Sequence, residues 1–148
     1  MAADQSREPK SDSTPVAHQP FPDEVRVVRP LAFDANTPQT PGMQRVAAIS
    51  QRLAGSVGLW AGVTVVAPGT ASGVHHHGAL ETIIYVVSGQ AAIRWGAGME
   101  HEAAVGPGDF IYVPPFVAHQ EINPSADTPS EWVIVRNAQE PVVVNLET

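Results

Sequence analysis

Residues 69–81 read GTASGVHHHGALE, and this stretch gathers more imidazole and carboxylate side chains than any other in the chain. If the histidine run is extended, the side-chain period of two places His75 and His77 on one face and His76 on the other. Two neutral imidazoles on one face are typical of a site for a divalent metal, whose Nε2 ligands lie about 2.0–2.1 Å from the ion.

Two further side chains complete a candidate ligand set. Glu81 follows the histidines after a short turn at Gly78, and His119 lies far along the chain. The alternatives are a purification tag and a solvated histidine-rich loop. A tag lies at a terminus, however, and has no reason to precede a β-branched run such as TIIYVV at residues 82–87.

The composition restricts the class of protein. The 148 residues suit one domain, and 43% hydrophobic against 16% charged residues is typical of a compact globular chain. A net charge of −7 without a basic stripe argues against nucleic acid as a partner. Because the chain has no cysteine, nitrogen and oxygen must hold any metal. No apolar run is long enough for a bilayer and no signal peptide is evident, so we expect a cytoplasmic protein without membrane contact.

The order of the chain predicts an all-β domain. Residues 1–22 are rich in proline and polar side chains and are predicted to be a disordered tail, which leaves residues 23–148 as one domain. Short apolar runs alternate with Gly and Pro turns at regular spacing, a pattern typical of a sandwich or barrel. The predicted strands are 25–29, 46–49, 58–66, 81–88, 91–95, 100–104, 109–113, 119–122, 132–136 and 142–145. Only residues 44–53 are compatible with a helical turn.

A second motif begins at Gly108, where the sequence runs GDFIYVPPFVAHQEIN. A strand ends at a proline pair, a tight corner follows, and His119 opens the next strand. This motif resembles the second half of the cupin signature: Gly, five residues, Pro, one residue, Gly, two residues, His, three residues, Asn. The match is complete except that Phe116 stands at the position of the middle Gly.

The first half of the cupin signature is present in the histidine stretch. Gly69 is followed by five residues, then by His75 and His77, by three residues and Glu81, and later by Gly89. With both halves in order, residues 57–136 are similar to the cupin superfamily of RmlC-like proteins, in particular to small bacterial single-domain cupins of unassigned activity.

The histidine half departs from the family in its spacing. The family places its Glu six residues before the closing Gly, whereas Glu81 stands seven before Gly89, and counting back six reaches Thr82. Either a bulge turns Glu81 inward, or three histidines and water hold the metal. We expect Glu81 to ligate, because Thr82 would be a poor ligand.

The resemblance implies a cupin β-barrel, a double-stranded β-helix of the jelly-roll type, and often a homodimer. It also implies that His75, His77, Glu81 and His119 hold one divalent transition metal per chain, which can be Mn, Fe, Ni, Cu, Co or Zn. Residues 25–50 either exchange between subunits or cover an edge of their own barrel.

Three other residues are candidates for roles beside the metal. Glu121 lies two residues after His119 and therefore points to the same side of the strand. It is a candidate general base or hydrogen-bond partner of a metal ligand. The alternative is a solvated strand residue. The phenols of Tyr85 and Tyr112 can point toward a substrate, although tyrosines in strands more often only pack.

Function is argued from this site. The first hypothesis is a small metal-dependent enzyme, of dioxygenase or isomerase type, acting on a small oxygen-rich molecule such as an enediol or keto acid. The alternative is a small-molecule binding or sensing cupin without turnover. A structural protein with a vestigial site is the least favoured, because the ligand set is intact.

Overall fold

Short strands make up most of the computed structural model, which describes residues 21–146. The tail predicted over residues 1–22 therefore lies outside the described residues, apart from its last two. The strands are β1 (Met43–Ile49), β2 (Trp60–Val66), β3 (His75–His76), β4 (Thr82–Ser88), β5 (Ala91–Trp95), β6 (His101–Val105), β7 (Phe110–Val113), β8 (His119–Ile122), β9 (Ser130–Arg136) and β10 (Val144–Asn145).

Two five-stranded antiparallel sheets form the barrel. Their strand orders are β1-β2-β9-β4-β7 and β10-β3-β8-β5-β6. Most neighbours within a sheet are distant in sequence, as in the pairing of β3 with β8, so long connections cross between the sheets. The predicted all-β jelly-roll barrel is confirmed.

Alternation along the strands places the core between the sheets. In β4, Ile84 and Val86 are fully buried, whereas Ile83 before them and Val87 after them are each 42% exposed. Side chains from both sheets meet in one apolar cluster. Its buried members are Met43, Val66, Ile84, Val86, Ala91, Ile93, Val113 and Trp132. This cluster supplies the apolar burial that stabilises the barrel independently of the polar residues.

Gly89, the closing glycine of the first motif, meets a conformational and a steric requirement together. Its φ of +79° lies in the left-handed region, and an added Cβ would approach the carbonyl oxygen of Pro129 to 2.5 Å. Only glycine fits such a turn without displacing the backbone.

Two local predictions need correction. Residues 25–29 form no strand, and Val25 is 92% exposed, so the alternating pattern there lacks both a partner strand and a face to bury. The helical turn is confined to α1 (Gln51–Ala54), which the Ser50 hydroxyl caps, and the residues before it belong to β1. Within residues 21–146, no helix has the length and apolar character that crossing a membrane requires.

Candidate metal centre

Strands β3 and β8 bring histidines from the two sequence motifs together. His75 lies directly opposite His119 in the antiparallel pair, and His77 follows two residues later on the same side. The ring centroids of these three histidines lie 4.4–4.9 Å apart. His76 points away, and its Nδ1 accepts a hydrogen bond from the backbone N–H of Gly78 at 3.0 Å. The parity argument therefore describes the histidine run correctly.

Each of the three clustered histidines is oriented by a backbone carbonyl. The Nδ1 atom of His75 lies 2.7 Å from the oxygen of Gly73, that of His77 2.9 Å from Val142, and that of His119 2.9 Å from Val117. Since a carbonyl only accepts, Nδ1 must carry the proton in each contact. In the neutral ring, the lone pair is then on Nε2, the arrangement that metal-binding histidines use.

Glu121 completes the group that we call the His/Glu cluster: His75, His77, His119 and Glu121. The carboxylate Oε1 lies 3.3 Å from the Nε2 atom of His119, and their side chains are 14% and 1% exposed. One donor atom from each of the four residues lies within 4.8 Å of the others. Two ligands about 2.1 Å from a common ion are at most about 4.2 Å apart, so small side-chain movements suffice to close the site.

A buried nitrogen atom without a partner is a second observation that fits a metal ion at this site. The Nε2 atom of His77 is buried and has no hydrogen-bond partner among the described residues. A buried polar atom without a partner costs about 1–3 kcal/mol. A metal held by the cluster would remove that cost, which makes the cluster a candidate metal centre.

The carboxylate and the imidazoles influence each other's charge. Burial acts to raise the pKa of Glu121, but the hydrogen bond and charge of His119, with the charges of His75 and His77, lower it to about 2. Burial acts to lower the pKa of His119, and the bond to Glu121 outweighs it, so the net direction is upward. Burial lowers the pKa of His77, which favours its neutral form. At neutral pH Glu121 is a carboxylate ready to bind a cation.

Glu81, the predicted carboxylate ligand, lies outside the cluster. Its side chain is exposed, where Oε1 accepts a hydrogen bond from the Tyr112 hydroxyl at 2.6 Å and Oε2 lies 3.3 Å from Nδ2 of Asn137. The inward position is that of the neighbouring Thr82, which is 5% exposed. Thus the residue six before Gly89 does face the barrel interior, and the carboxylate beside the histidines comes from Glu121 on the facing sheet.

The candidate tyrosines also lie on the outside of the barrel. Tyr85 alternates with the buried Ile84 and Val86 and packs its ring 4.7 Å from that of Phe110. Tyr112 is 55% exposed, and its hydrogen bond to Glu81 raises the pKa of its phenol. Among the described residues, neither phenol forms a hydrogen bond with a member of the His/Glu cluster.

Phe116 keeps the backbone conformation of the glycine that it replaces. Its φ is +61°, in the left-handed region that costs a non-glycine residue roughly 1–2 kcal/mol. Its side chain is 66% exposed, with the ring 5.9 Å from that of His76. The corner before His119 is therefore preserved, and Phe116 covers the outer side of the histidine run.

A cavity of about 140 Å³ with charged as well as apolar side chains in its wall opens beside the cluster, and we call it the polar cavity for its charged residues. His75, His77 and Glu121 line it, together with Arg45, Thr64, Thr82 and Arg136 from the other sheet and residues 141–143 and 145 from the C-terminal segment. Arg45 and Arg136 were not among the sequence candidates. The sequence did contain a signal for them: Arg45 alternates in step with Met43 on β1, and Arg136 with Trp132 on β9, so both arginines point to the buried side.

An apolar cavity of about 450 Å³ lies on the other side of His119. Its wall is formed mainly by Ile93, Ala103, Val105, Ile111, Val113 and Val117. His119 thus borders an apolar cavity, whereas the cavity lined by His75, His77 and Glu121 carries two arginines.

A family model described as a cupin domain matches residues 62–136, which include all four cluster residues. The chain belongs to the cupin family. No curated protein sequence matches this cupin.

Solved structures share the fold at low sequence identity. The polyketide cyclase RemF from Streptomyces resistomycificus superposes with a TM-score of 0.67 and 20% identity, over 84% of this cupin and 87% of that chain. A protein with a double-stranded β-helix domain from Klebsiella pneumoniae gives 0.63 and 19%, over 84% and 100% of the two chains. An oxalate oxidase in complex with glycolate gives 0.61 and 22%, over 76% and 58%.

Proposed function

We propose that this cupin is a small metal-dependent enzyme whose His/Glu cluster holds one divalent transition metal per chain. The observation that carries the proposal is the convergence of three imidazoles, each with its Nδ1 proton held by a carbonyl, on a common point beside Glu121. Nitrogen and oxygen donors of this kind suit Mn, Fe, Ni, Cu, Co or Zn.

The substrate that fits is a small oxygen-rich molecule such as an enediol or keto acid. Whether three or four protein donors held it, a bound ion would have coordination positions left for two neighbouring oxygen atoms of one ligand. The cavity beside the cluster, at about 140 Å³, is close in size to one that holds a benzene molecule. When bound, the ion supplies Lewis-acid polarisation of substrate oxygens or redox chemistry.

Among the residues of the chain, Glu121 decides between two reaction types. It is the one carboxylate that lines the polar cavity, and the three imidazoles beside it belong to the cluster. If Glu121 ligates, no separate base remains there, which favours a dioxygenase type. If Glu121 stays free, it is placed to accept a proton from a substrate carbon, which favours an isomerase type.

The structural relatives support an enzyme only in a general way. One is named a polyketide cyclase and another an oxalate oxidase bound to glycolate, a small hydroxy acid. At these identities the likeness concerns the fold, so the reaction has to be tested on this cupin itself.

The test begins with metal content. Protein purified without a histidine tag is analysed by plasma mass spectrometry, before chelation and after reloading with each of the six metals. We expect close to one ion per chain, and we expect the best-retained metal to support oxygen uptake or isomerisation with a panel of enediols and keto acids. Failure to retain any of the six metals would contradict the proposal.

The same experiment separates the alternative, a binding or sensing cupin. Such a protein would retain the metal and bind small oxygen-rich molecules, yet leave every member of the panel unchanged. Calorimetry on the samples used for the activity assays would show binding without turnover.

We also propose the homodimer that the sequence predicts, with the outer face of β4 and β7 as its contact. Phe110 and Tyr112 on β7 are 73% and 55% exposed, and Ile83 and Val87 on β4 extend this apolar surface. Light scattering should give twice the mass of one chain, and Phe110→Asp should give a monomer. A monomeric wild type would contradict this part.

A further inference from the structure

Two arginines face the interior of the barrel without an acidic partner. Arg45 on β1 and Arg136 on β9 both line the polar cavity, and neither forms an ion pair with any carboxylate in residues 21–146. The surface arginines Arg52 and Arg94 behave differently, because they pair with Asp34 at 2.8 Å and with Glu102 at 2.9 Å. Arg26 and Arg29 also form no ion pair within this described range, but they are exposed, so the partly buried unpaired guanidinium groups are those of Arg45 and Arg136 beside the candidate metal centre.

Arg136 is held in place before any ligand binds. Its guanidinium stacks 3.9 Å above the ring of Trp60, and Nε and Nη2 donate to the carbonyl oxygens of Ala138 and Gln139 at 3.0 and 2.6 Å. Burial, with the positive charge of Arg45 nearby, lowers the pKa of Arg136 to about 10, so it remains charged at neutral pH. A group fixed in this way loses little entropy when it binds an anion.

Arg45 has donors to spare, and a hydroxyl lies beside it. Its Nη1 donates to the carbonyl of Pro38 at 2.9 Å, and no other acceptor in residues 21–146 bonds to its guanidinium. Thr64 lies directly opposite Arg45 on β2. The Thr64 side chain is 1% exposed and also lines the cavity, yet its Oγ1 has no hydrogen-bond partner among the described residues. This buried hydroxyl can therefore donate a hydrogen bond to a polar ligand in the cavity.

The charge in the cavity is positive although the chain carries a net charge of −7. Two guanidinium groups face one carboxylate, Glu121, and a divalent ion in the cluster would add to the excess. Glu121 and Glu140 act on Arg45 and Arg136 without forming ion pairs with them, so this positive charge is only partly compensated. Partly buried charge of this kind is costly, and an anion bound to it is correspondingly stabilised.

We propose that Arg45, Thr64 and Arg136 form an anion subsite that binds a carboxylate of the substrate while the His/Glu cluster binds its other oxygen atoms. The substrate class is then a small dicarboxylate, or a hydroxy or keto acid with a second anionic group. This inference rests on the proposed function for the role of the metal, whereas the anion subsite itself is a property of the three side chains.

The test compares two ligands that differ only at one end. Malonate has two carboxylates, and malonamate replaces one of them with a neutral amide. Calorimetry with metal-loaded protein should show malonate binding at least tenfold more tightly, as expected for charge-assisted hydrogen bonds. Arg45→Gln should remove this preference by weakening malonate alone, and Arg45→Lys should restore part of it.

Two further variants complete the design. Thr64→Val keeps the side-chain shape and should weaken malonate several-fold, and Arg94→Gln, a surface arginine on β5, should leave both affinities unchanged. Equal binding of the two ligands, no malonate binding, or a malonate affinity that Arg45→Gln does not alter would overturn the anion subsite.

Measuring metal content and malonate binding on the same samples keeps the two proposals apart. If the protein retains no metal but still binds malonate in an Arg45-dependent way, the anion subsite stands and the proposed function fails. If it retains metal but does not distinguish malonate from malonamate, the proposed function stands and the subsite fails.

Discussion

Four of the predicted site residues lie on or next to strands β4 and β8, and the two strands present them to opposite sides of the barrel wall. On β8, His119 and Glu121 face inward and meet His75 and His77. At β4, Glu81 and Tyr85 face outward, and each contacts an aromatic residue of β7. A residue type suited to catalysis therefore predicts a site only if its position on the strand also points into the barrel.

The comparison of the two strands shows that the carboxylate beside the histidines comes from a different sequence position than the family pattern predicts. Thr82, six residues before Gly89, has the inward direction that the family pattern requires, but not the carboxylate. Glu121 supplies that carboxylate from the facing sheet, two residues beyond His119. The His/Glu cluster thus contains the donor types of the predicted set, because donors converge in space and their order along the chain matters less.

The largest expected effect is that of removing the inward histidine of β8. His119→Ala should weaken metal binding about 100-fold or more, because a direct ligand is lost. The domain should stay folded, because no residue of the His/Glu cluster belongs to the apolar cluster that forms the core. Metal content and far-UV circular dichroism check both points. Loss of the fold together with the metal would mean that the metal is structural.

A matched pair on β4 measures how much the inner face contributes to stability. Ile84→Ala should reduce the free energy of unfolding by about 2–5 kcal/mol, because Ile84 is fully buried in the core. Ile83→Ala, on the outer face, should cost less than about 1 kcal/mol in the same urea titration when both variants are made in the monomeric Phe110→Asp background, where no subunit contact covers Ile83. Similar losses from both variants in that background would show that Ile83 is buried within its own barrel.

The two glutamates give the sharpest test of the comparison. Glu121→Gln should weaken metal binding roughly tenfold or more, since it removes a negative donor and keeps the shape. Glu81→Gln should leave metal affinity unchanged, because Glu81 bonds to Tyr112 and Asn137 on the outside. Competition with a chromophoric chelator measures both. A weaker affinity in Glu81→Gln would mean that this side chain reaches the centre after all.

The smallest effect is expected for the outward tyrosine of β4. Tyr85→Phe should change stability by less than about 0.5 kcal/mol, because the phenyl ring that packs on Phe110 remains. Metal content and any turnover should equal those of the wild type. A selective loss of turnover in this variant would show that the Tyr85 hydroxyl has a catalytic role that this orientation does not explain.

Local pattern in the sequence determined much of this protein. The placement of His75 and His77 on one face, the range of β8 and the shared parity of His119 and Glu121 all follow from the period of two, which each strand carries by itself. Turn chemistry separated the strands, as at Gly89, because steric limits on φ depend on single residues.

Only the tertiary structure decided which outward or inward positions meet. The pairing of β3 with β8 joins His75 to His119, and the carbonyl that orients His77 belongs to Val142, far along the chain. In the other sheet, the pairing of β4 with β7 places Glu81 beside Tyr112 on the outside, and the order β1-β2-β9 brings Arg45 and Arg136 to one cavity beside the cluster. Register between remote strands is set by the summed packing of both sheets, so no short stretch of sequence contains it.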